Sequence, residues 1–156
     1  MKFSVNQQDL QKSLGYCQGV IEKRSTLPIL SNILIEAANS KLKITATDLD
    51  LIFVNEISNI KIFDEGKTTT SSSIMFDIVR KIPSGSQINF ENTGESKLQL
   101  ESNKSLFNLN SINASEFPIT DENFNENEFT INSKDLLKLL NKCNFSISND
   151  ETRHYL

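Results

Sequence analysis

The segment Phe3-Ser4-Val5-Asn6 through Cys17 recurs as Phe129-Thr130-Ile131-Asn132 through Cys143, at a constant offset of 126 residues. Phe, Asn, Asp, Leu, Lys, Leu and Cys fall in register in both copies, seven identities in fifteen positions, with Ser/Thr and Val/Ile as conservative exchanges. Self-similarity at a fixed period is the signature of a duplicated structural unit. The 156-residue chain therefore reads as a first domain over 1–120, an acidic linker over 121–128, and the opening of a second domain over 129–156. The last 28 residues or so are too few to bury a core of their own.

Within the first copy the hydrophobic pattern changes period repeatedly. Lys2–Val5 alternates and predicts a strand. Asn6 is a helix N-cap candidate, and Leu10, Leu14, Cys17 and Ile21 form one apolar helical stripe. Pro28 is incompatible with a helix continuing that far. Ile29–Ala37 and Lys41–Thr47 are β-branched runs about an Asn39-Ser40 turn, a hairpin pattern. Leu51–Ile60 is a third run. The scheme then restarts with a strand at Lys67–Ser71 and serines 71–73 as cap candidates. A helical stripe of Ile74, Ile78 and Ile82 with Met75 and Val79 stops at Pro83-Ser84-Gly85. Short strands follow at Gln87–Phe90, Lys97–Glu101 and Ser105–Asn110. The predicted class is α+β: two strand-helix-three-strand units, with helices on one face of antiparallel sheets related by a pseudo-twofold.

Composition limits the chemistry. Lys and Arg total 16 against 20 Asp and Glu, a formal charge of −4, which excludes a protein gripping nucleic acid over its whole surface. It leaves room for a basic face on an acidic body, because the local sign is what matters. No apolar run approaches the roughly 20 residues of a membrane helix. The first residues lack the apolar core of a signal peptide, so a cytoplasmic location is expected and no membrane partner. Cys17 and Cys143 show no metal-ligand spacing and are expected as free thiols on buried helix faces.

No catalytic constellation is legible. The sole histidine, His154, is near the end of the sequence, and Gly66-Lys67-Thr68 lacks the upstream glycine of a phosphate loop. Asp48 and Asp50 could share a cation on a strand, but a turn is the commoner setting for such residues. No metal and no cofactor are expected, and no enzyme activity. On the helices, Gln8, Lys12, Gly19 and Lys23 should face away from the sheet, with Arg24 after them and Arg80 and Lys81 on the second helix. Lys134, Lys138 and Lys142 share one face in the second copy. Cations thus gather on helices, with acids such as Glu56, Asp64 and Glu91 on strands and loops.

Several blocks carry a family resemblance. Met1-Lys2-Phe3, Arg24-Ser25-Thr26-Leu27-Pro28-Ile29-Leu30-Ser31-Asn32, Thr47-Asp48-Leu49-Asp50, Glu116-Phe117-Pro118 and Arg153-His154-Tyr155-Leu156 resemble the bacterial DNA polymerase III beta subunits, the sliding clamps. The resemblance runs the length of the chain, and Thr-Leu-Pro-Ile-Leu-x-Asn is its most specific piece. It implies the DNA-clamp fold, three such domains per subunit, and two subunits closing head to tail around duplex DNA, with helices lining the hole. It implies a non-catalytic processivity factor whose partners are duplex DNA, a second clamp subunit, the polymerase III catalytic subunit, the clamp loader and other proteins with clamp-binding motifs.

Site residues follow from the same resemblance. Arg24, His154, Tyr155 and Asn149 are implied DNA contacts, and Lys12 and Arg80, read above as cations on the helix surfaces, are expected beside them. His154 stands where a Tyr is usual; Ser73 and Asp150 stand where the family has a DNA-contacting arginine and a glutamine. Arg153 and Leu156 match the edge of the pocket for partner peptides. Ile74, Ile78, Ile82, Phe107 and Leu109 match the subunit interface. Ordinary core packing is the competing explanation for that set, most strongly for Leu109. This chain alone is not expected to encircle DNA. A stand-alone β-rich peptide-binding or scaffold module without a DNA role is the alternative to a clamp, and it would not need Arg24 or the lysines.

Overall fold

The computed structural model describes residues 1–21, 27–94, 96–118 and 129–148. The chain divides into two compact units, Met1–Ile119 and Thr120–Leu156.

The first unit runs β1 (Lys2–Asn6), α1 (Gln7–Cys17), β2 (Asn32–Ala38), β3 (Lys41–Thr47), β4 (Ile52–Ile57), β5 (Ile60–Asp64), β6 (Gly66–Ser71), α2 (Ser72–Val79), β7 (Gln87–Asn92), β8 (Lys97–Ser102) and β9 (Ser105–Asn110). The strands form two antiparallel sheets, one ordered β5-β1-β7-β8-β9 and the other β4-β3-β2-β6. The opening strands of the two halves are exchanged. β1 pairs with β7 of the second half, and β6 pairs with β2 of the first. This reciprocal exchange gives the pseudo-twofold a physical basis, because neither half can complete its sheet without the other.

Local chemistry accounts for the element ends. Asn6 stays extended and its side chain accepts from the Gln8 N–H at 2.9 Å, capping α1. Asn39 and Ser40 both take positive φ, 49° and 60°, as a two-residue hairpin turn matched to strand twist requires. Pro28 opens a 3-10 turn, Pro28–Ser31, so β2 begins at Asn32 rather than Ile29. The Leu51–Ile60 run is broken at Ser58-Asn59, and Ile60 opens a strand that the sequence pattern did not separate. Ser71 occupies the α2 cap position without a side-chain capping bond.

Both sheets and both helices share one core. Phe3, Val5, Ile33, Ile35, Leu42, Ile44, Ile88, Phe90, Leu98 and Leu100 meet Leu10, Leu14, Cys17, Met75 and Val79 within it. Phe3 and Phe90 sit opposite in the β1–β7 register and their rings stack, centroids 4.8 Å apart. On α2 the buried stripe is Met75, Val79 and Ile82, while Ile74 is 54% exposed. Leu34, on the other face of β2, packs with Ala114 and Phe117 of the returning chain. The threonines of β6 tie that return down. Thr69 Oγ1 donates to the Ile112 carbonyl at 2.8 Å and Thr70 Oγ1 to the Asn110 carbonyl at 3.0 Å.

In the second unit α3 spans Ser133–Cys143, and Asn132 caps it by accepting from the Lys134 N–H at 2.9 Å. Its bounds repeat those of α1 at the 126-residue offset. No residue of α3 is buried. Leu136 and Leu140, counterparts of the buried Leu10 and Leu14, are 41% and 59% exposed. Cys143 is likewise exposed, correcting the expectation that both thiols are buried; only Cys17 is. The reason is local: α3 carries the apolar stripe of α1, and among the described residues no strand covers it.

Candidate nucleic-acid interface

α1 and α2 lie side by side and antiparallel, joined at both ends. At one end the Gln7 Nε2 donates to the Val79 carbonyl at 2.9 Å; at the other the Gln18 Nε2 donates to Ser72 Oγ at 2.8 Å. Gly15 of α1 faces the Phe76 ring of α2, and a Cβ there would stand 3.8 Å from Phe76 Cε2, an ordinary contact. The outer surface of this helical layer holds the exposed Gln8, Lys12 and Tyr16 of α1. Arg80 caps the C-terminus of α2, its guanidinium 6.0 Å over the Phe76 ring.

Two shallow depressions flank Lys12 and Tyr16. One, of about 570 Å³, lies between the helices and is lined by Gln8, Gln11, Lys12, Gly15, Tyr16, Phe76 and Ser84. The other, of about 480 Å³, lies between α1 and the β4 side and contains Asp9 and Glu56. Tyr16 leans on Phe53 of β4, ring centroids 5.9 Å apart. The structure thus brings Lys12 and Arg80 to one layer around Phe76.

The charge segregation expected from the sequence is only partial. Arg80 is paired with Asp77 at 3.1 Å, and Asp9 is exposed on α1. Lys2, Lys41, Lys43, Lys61, Lys67 and Lys97 lie on strands. Some of these pair with acids of a neighbouring strand: Lys2 with Glu91 at 2.8 Å and Lys41 with Glu56 at 2.6 Å. The Lys41 ammonium holds the Glu56 carboxyl below its ordinary range, and Glu91 raises Lys2. Cross-strand neighbours neutralise each other, so the strand surface carries charge of both signs.

Arg24, Asn149, Asp150, Arg153, His154, Tyr155 and Leu156 lie outside the described residues, as does Lys23. Ser73, at the start of α2, donates to the Gln18 Oε1 at 3.4 Å. Asp48 and Asp50 do not share a strand face. The Asp48 carboxylate accepts from the backbone N–H groups of Asp50 and Leu51 at 3.1 and 2.7 Å, building the turn before β4.

The residues implied at a subunit interface divide by burial. Ile74, Ile78, Ile82 and Phe107 line a groove of about 440 Å³ between α2 and β9. Ile74 is the most exposed of them and Ile82 forms the floor at 8% exposure. Leu109, 6% exposed, belongs to the core; Phe107, on the same face of β9, packs against that core and reaches the groove as well. β9 is an edge strand. Tyr16 and Leu106 are surface residues that the sequence patterns did not single out; the i, i+4 spacing of Lys12 and Tyr16 was the available signal for the first.

A family model, the N-terminal domain of the DNA polymerase III beta subunit, matches residues 1–121. The beta sliding clamps of Caulobacter vibrioides and Escherichia coli are each 35% identical to the chain over its whole length, covering 42% of their own. The solved structure of Caulobacter crescentus pol III beta superimposes with a TM-score of 0.92 at 35% identity, covering 100% of this chain and 42% of that one. A sliding clamp from Bartonella birtlesii bound to griselimycin gives 0.92 at 35% identity, covering 99% and 41%. The chain thus spans 42% of the length of the curated relatives it matches.

Proposed function

The chain belongs to the DNA polymerase III beta subunit family, and on that premise we propose that it supplies part of a sliding clamp, a ring that encircles duplex DNA and tethers the replicative polymerase. The observation that carries this reading is the match along the whole chain, at 35% identity and a TM-score of 0.92. The helical layer of α1 and α2 is the surface offered to DNA, with Lys12 and Arg80 described on it and Arg24, Asn149, His154 and Tyr155 contributing from elsewhere.

A ring explains how an acidic protein serves DNA. Each Lys or Arg set on a phosphate releases counterions and strengthens binding. A clamp that must slide needs few such contacts, because topology does the holding. A single exposed lysine on α1 and a cation on α2 already neutralised by Asp77 fit a weak lining. Phosphate contacts carry no base sequence, which suits a protein that passes every sequence.

The α2–β9 groove supports a head-to-tail contact with a second subunit. Ile74, Ile78 and Phe107 offer apolar surface beside an open strand edge, and an open edge invites pairing. Arg153 and Leu156 would stand at the edge of a pocket for peptides of the polymerase catalytic subunit, the clamp loader and other clamp-binding proteins. The protein itself performs no chemistry and works in the cytoplasm, as a component of the polymerase III holoenzyme. Among the described residues no helix is long and apolar enough to cross a membrane.

The test is topological. Assembled by a clamp loader on nicked circular DNA, the protein should stay bound through gel filtration and be lost once the circle is cut. Equal retention on circular and linear DNA, or none on either, contradicts the reading. Arg24→Ala should reduce loading; a variant with unchanged loading would show Arg24 to be dispensable.

A further inference from the structure

We propose that the DNA backbone seats in the depression between α1 and α2, with the Tyr16 hydroxyl as a phosphate contact beside Lys12. The inference rests on the clamp reading above and names the seat and a residue that the family resemblance does not. Lys12 and Tyr16 are one helical turn apart and form the ridge between the two depressions flanking α1. The depressions differ in sign. The one toward β4 contains the carboxylates of Asp9 and Glu56, which repel phosphate. The one toward α2 has no carboxylate among its lining residues. It offers the Lys12 ammonium with neutral donors: the Gln11 amide, the Tyr16 hydroxyl and the Ser84 hydroxyl, whose oxygen accepts from the Gln8 Nε2 at 2.6 Å and leaves its O–H to donate.

Two further features suit this seat. Tyr16 is 53% exposed, yet its ring is braced by Phe53, so little side-chain freedom remains to be lost on contact. The Phe76 ring closes the side toward α2; the Arg80 guanidinium stacked on it is paired with Asp77 and lies outside the lining, so Lys12 is the cation of the seat. Tyrosine, glutamine and serine side chains are ordinary partners of DNA phosphate oxygens. They add contact without displacing a counterion, so they hold the duplex without steepening its salt dependence.

The experiment is an NMR titration of the 15N-labelled chain with a mixed-sequence duplex at several salt concentrations. Backbone signals of Gln11, Lys12, Tyr16 and Ser84 should shift together. Tyr16→Phe, which keeps the ring on Phe53, should weaken binding by about fivefold, the worth of one hydrogen bond, with the salt slope unchanged. Lys12→Gln should weaken binding and lower the slope by about one. Duplex binding that shifts other surfaces, or that Tyr16→Phe leaves intact, overturns this inference and spares the clamp reading. No binding of any duplex by the chain and no retention of the assembled protein on circular DNA overturns both.

Discussion

The Gln7 amide, 2% exposed, donates to the Val79 carbonyl across 2.9 Å and so ties the start of α1 to the end of α2. Val79 is the last residue of its helix, where carbonyls lack intrahelical partners. Gln7→Ala strands that carbonyl and should cost about 1–3 kcal/mol in urea unfolding. Gln18→Ala, at the less buried end of the helix pair, should cost less. Equal losses would mean that burial does not set the value of these bonds.

Gly15 gives the opposite sign. It lies inside α1, and an added Cβ would meet Phe76 at an ordinary van der Waals distance of 3.8 Å. Gly15→Ala should raise stability by about 0.5–1 kcal/mol through helix propensity. A lower melting temperature in the variant would show that the helix pair is packed more tightly than these contacts indicate.

Burial pushes the Cys17 thiol up to about 12, while the unfolded chain loses that proton near its ordinary value of about 8.5. Across that window the folded state holds a proton that the unfolded state releases. Stability from this site is therefore intact below the lower value and falls as pH climbs toward the upper one. Cys17→Ala should flatten the alkaline decline of unfolding free energy. In the native protein a thiol reagent should label the exposed Cys143 at once and Cys17 only on unfolding.

Much of the fold was legible locally. Asn6 and Asn132 cap helices because a short polar side chain before an apolar stripe has one good use there. The stripe Leu10, Leu14, Cys17 lies in the core, and Asn39-Ser40 makes its hairpin. The strand exchange was not legible. Alternation says which face of β1 is buried; it does not say that Phe3 stacks on Phe90 rather than on a residue of its own half. On α2 the stripe of Ile74, Met75, Ile78, Val79 and Ile82 holds except at Ile74, because Ile74 and Met75 are equally apolar and only packing decides which turns inward. At the site, Lys12 is readable as a surface cation, whereas the neutralisation of Arg80 by Asp77 depends on the rotamers that bring the two together across one turn.

Ile74, 54% exposed in the α2–β9 groove, should tolerate charge in the isolated fold and not in an assembly. Ile74→Glu should change unfolding free energy by no more than about 0.5 kcal/mol. Sedimentation of the ring-forming protein should show dissociated subunits. An intact dimer in the variant would remove this groove from the interface.

In the proposed clamp the helical layer, not the strand surface, faces the duplex. Lysine acylation of the protein loaded on circular DNA, read by mass spectrometry against the unloaded protein, tests it directly. Lys12 and its repeat counterpart Lys138 should be protected, while Lys43, Lys61 and Lys97 on strands stay reactive. Protection of the strand lysines with Lys12 and Lys138 fully modified would put the strand surface, not the helices, against the duplex.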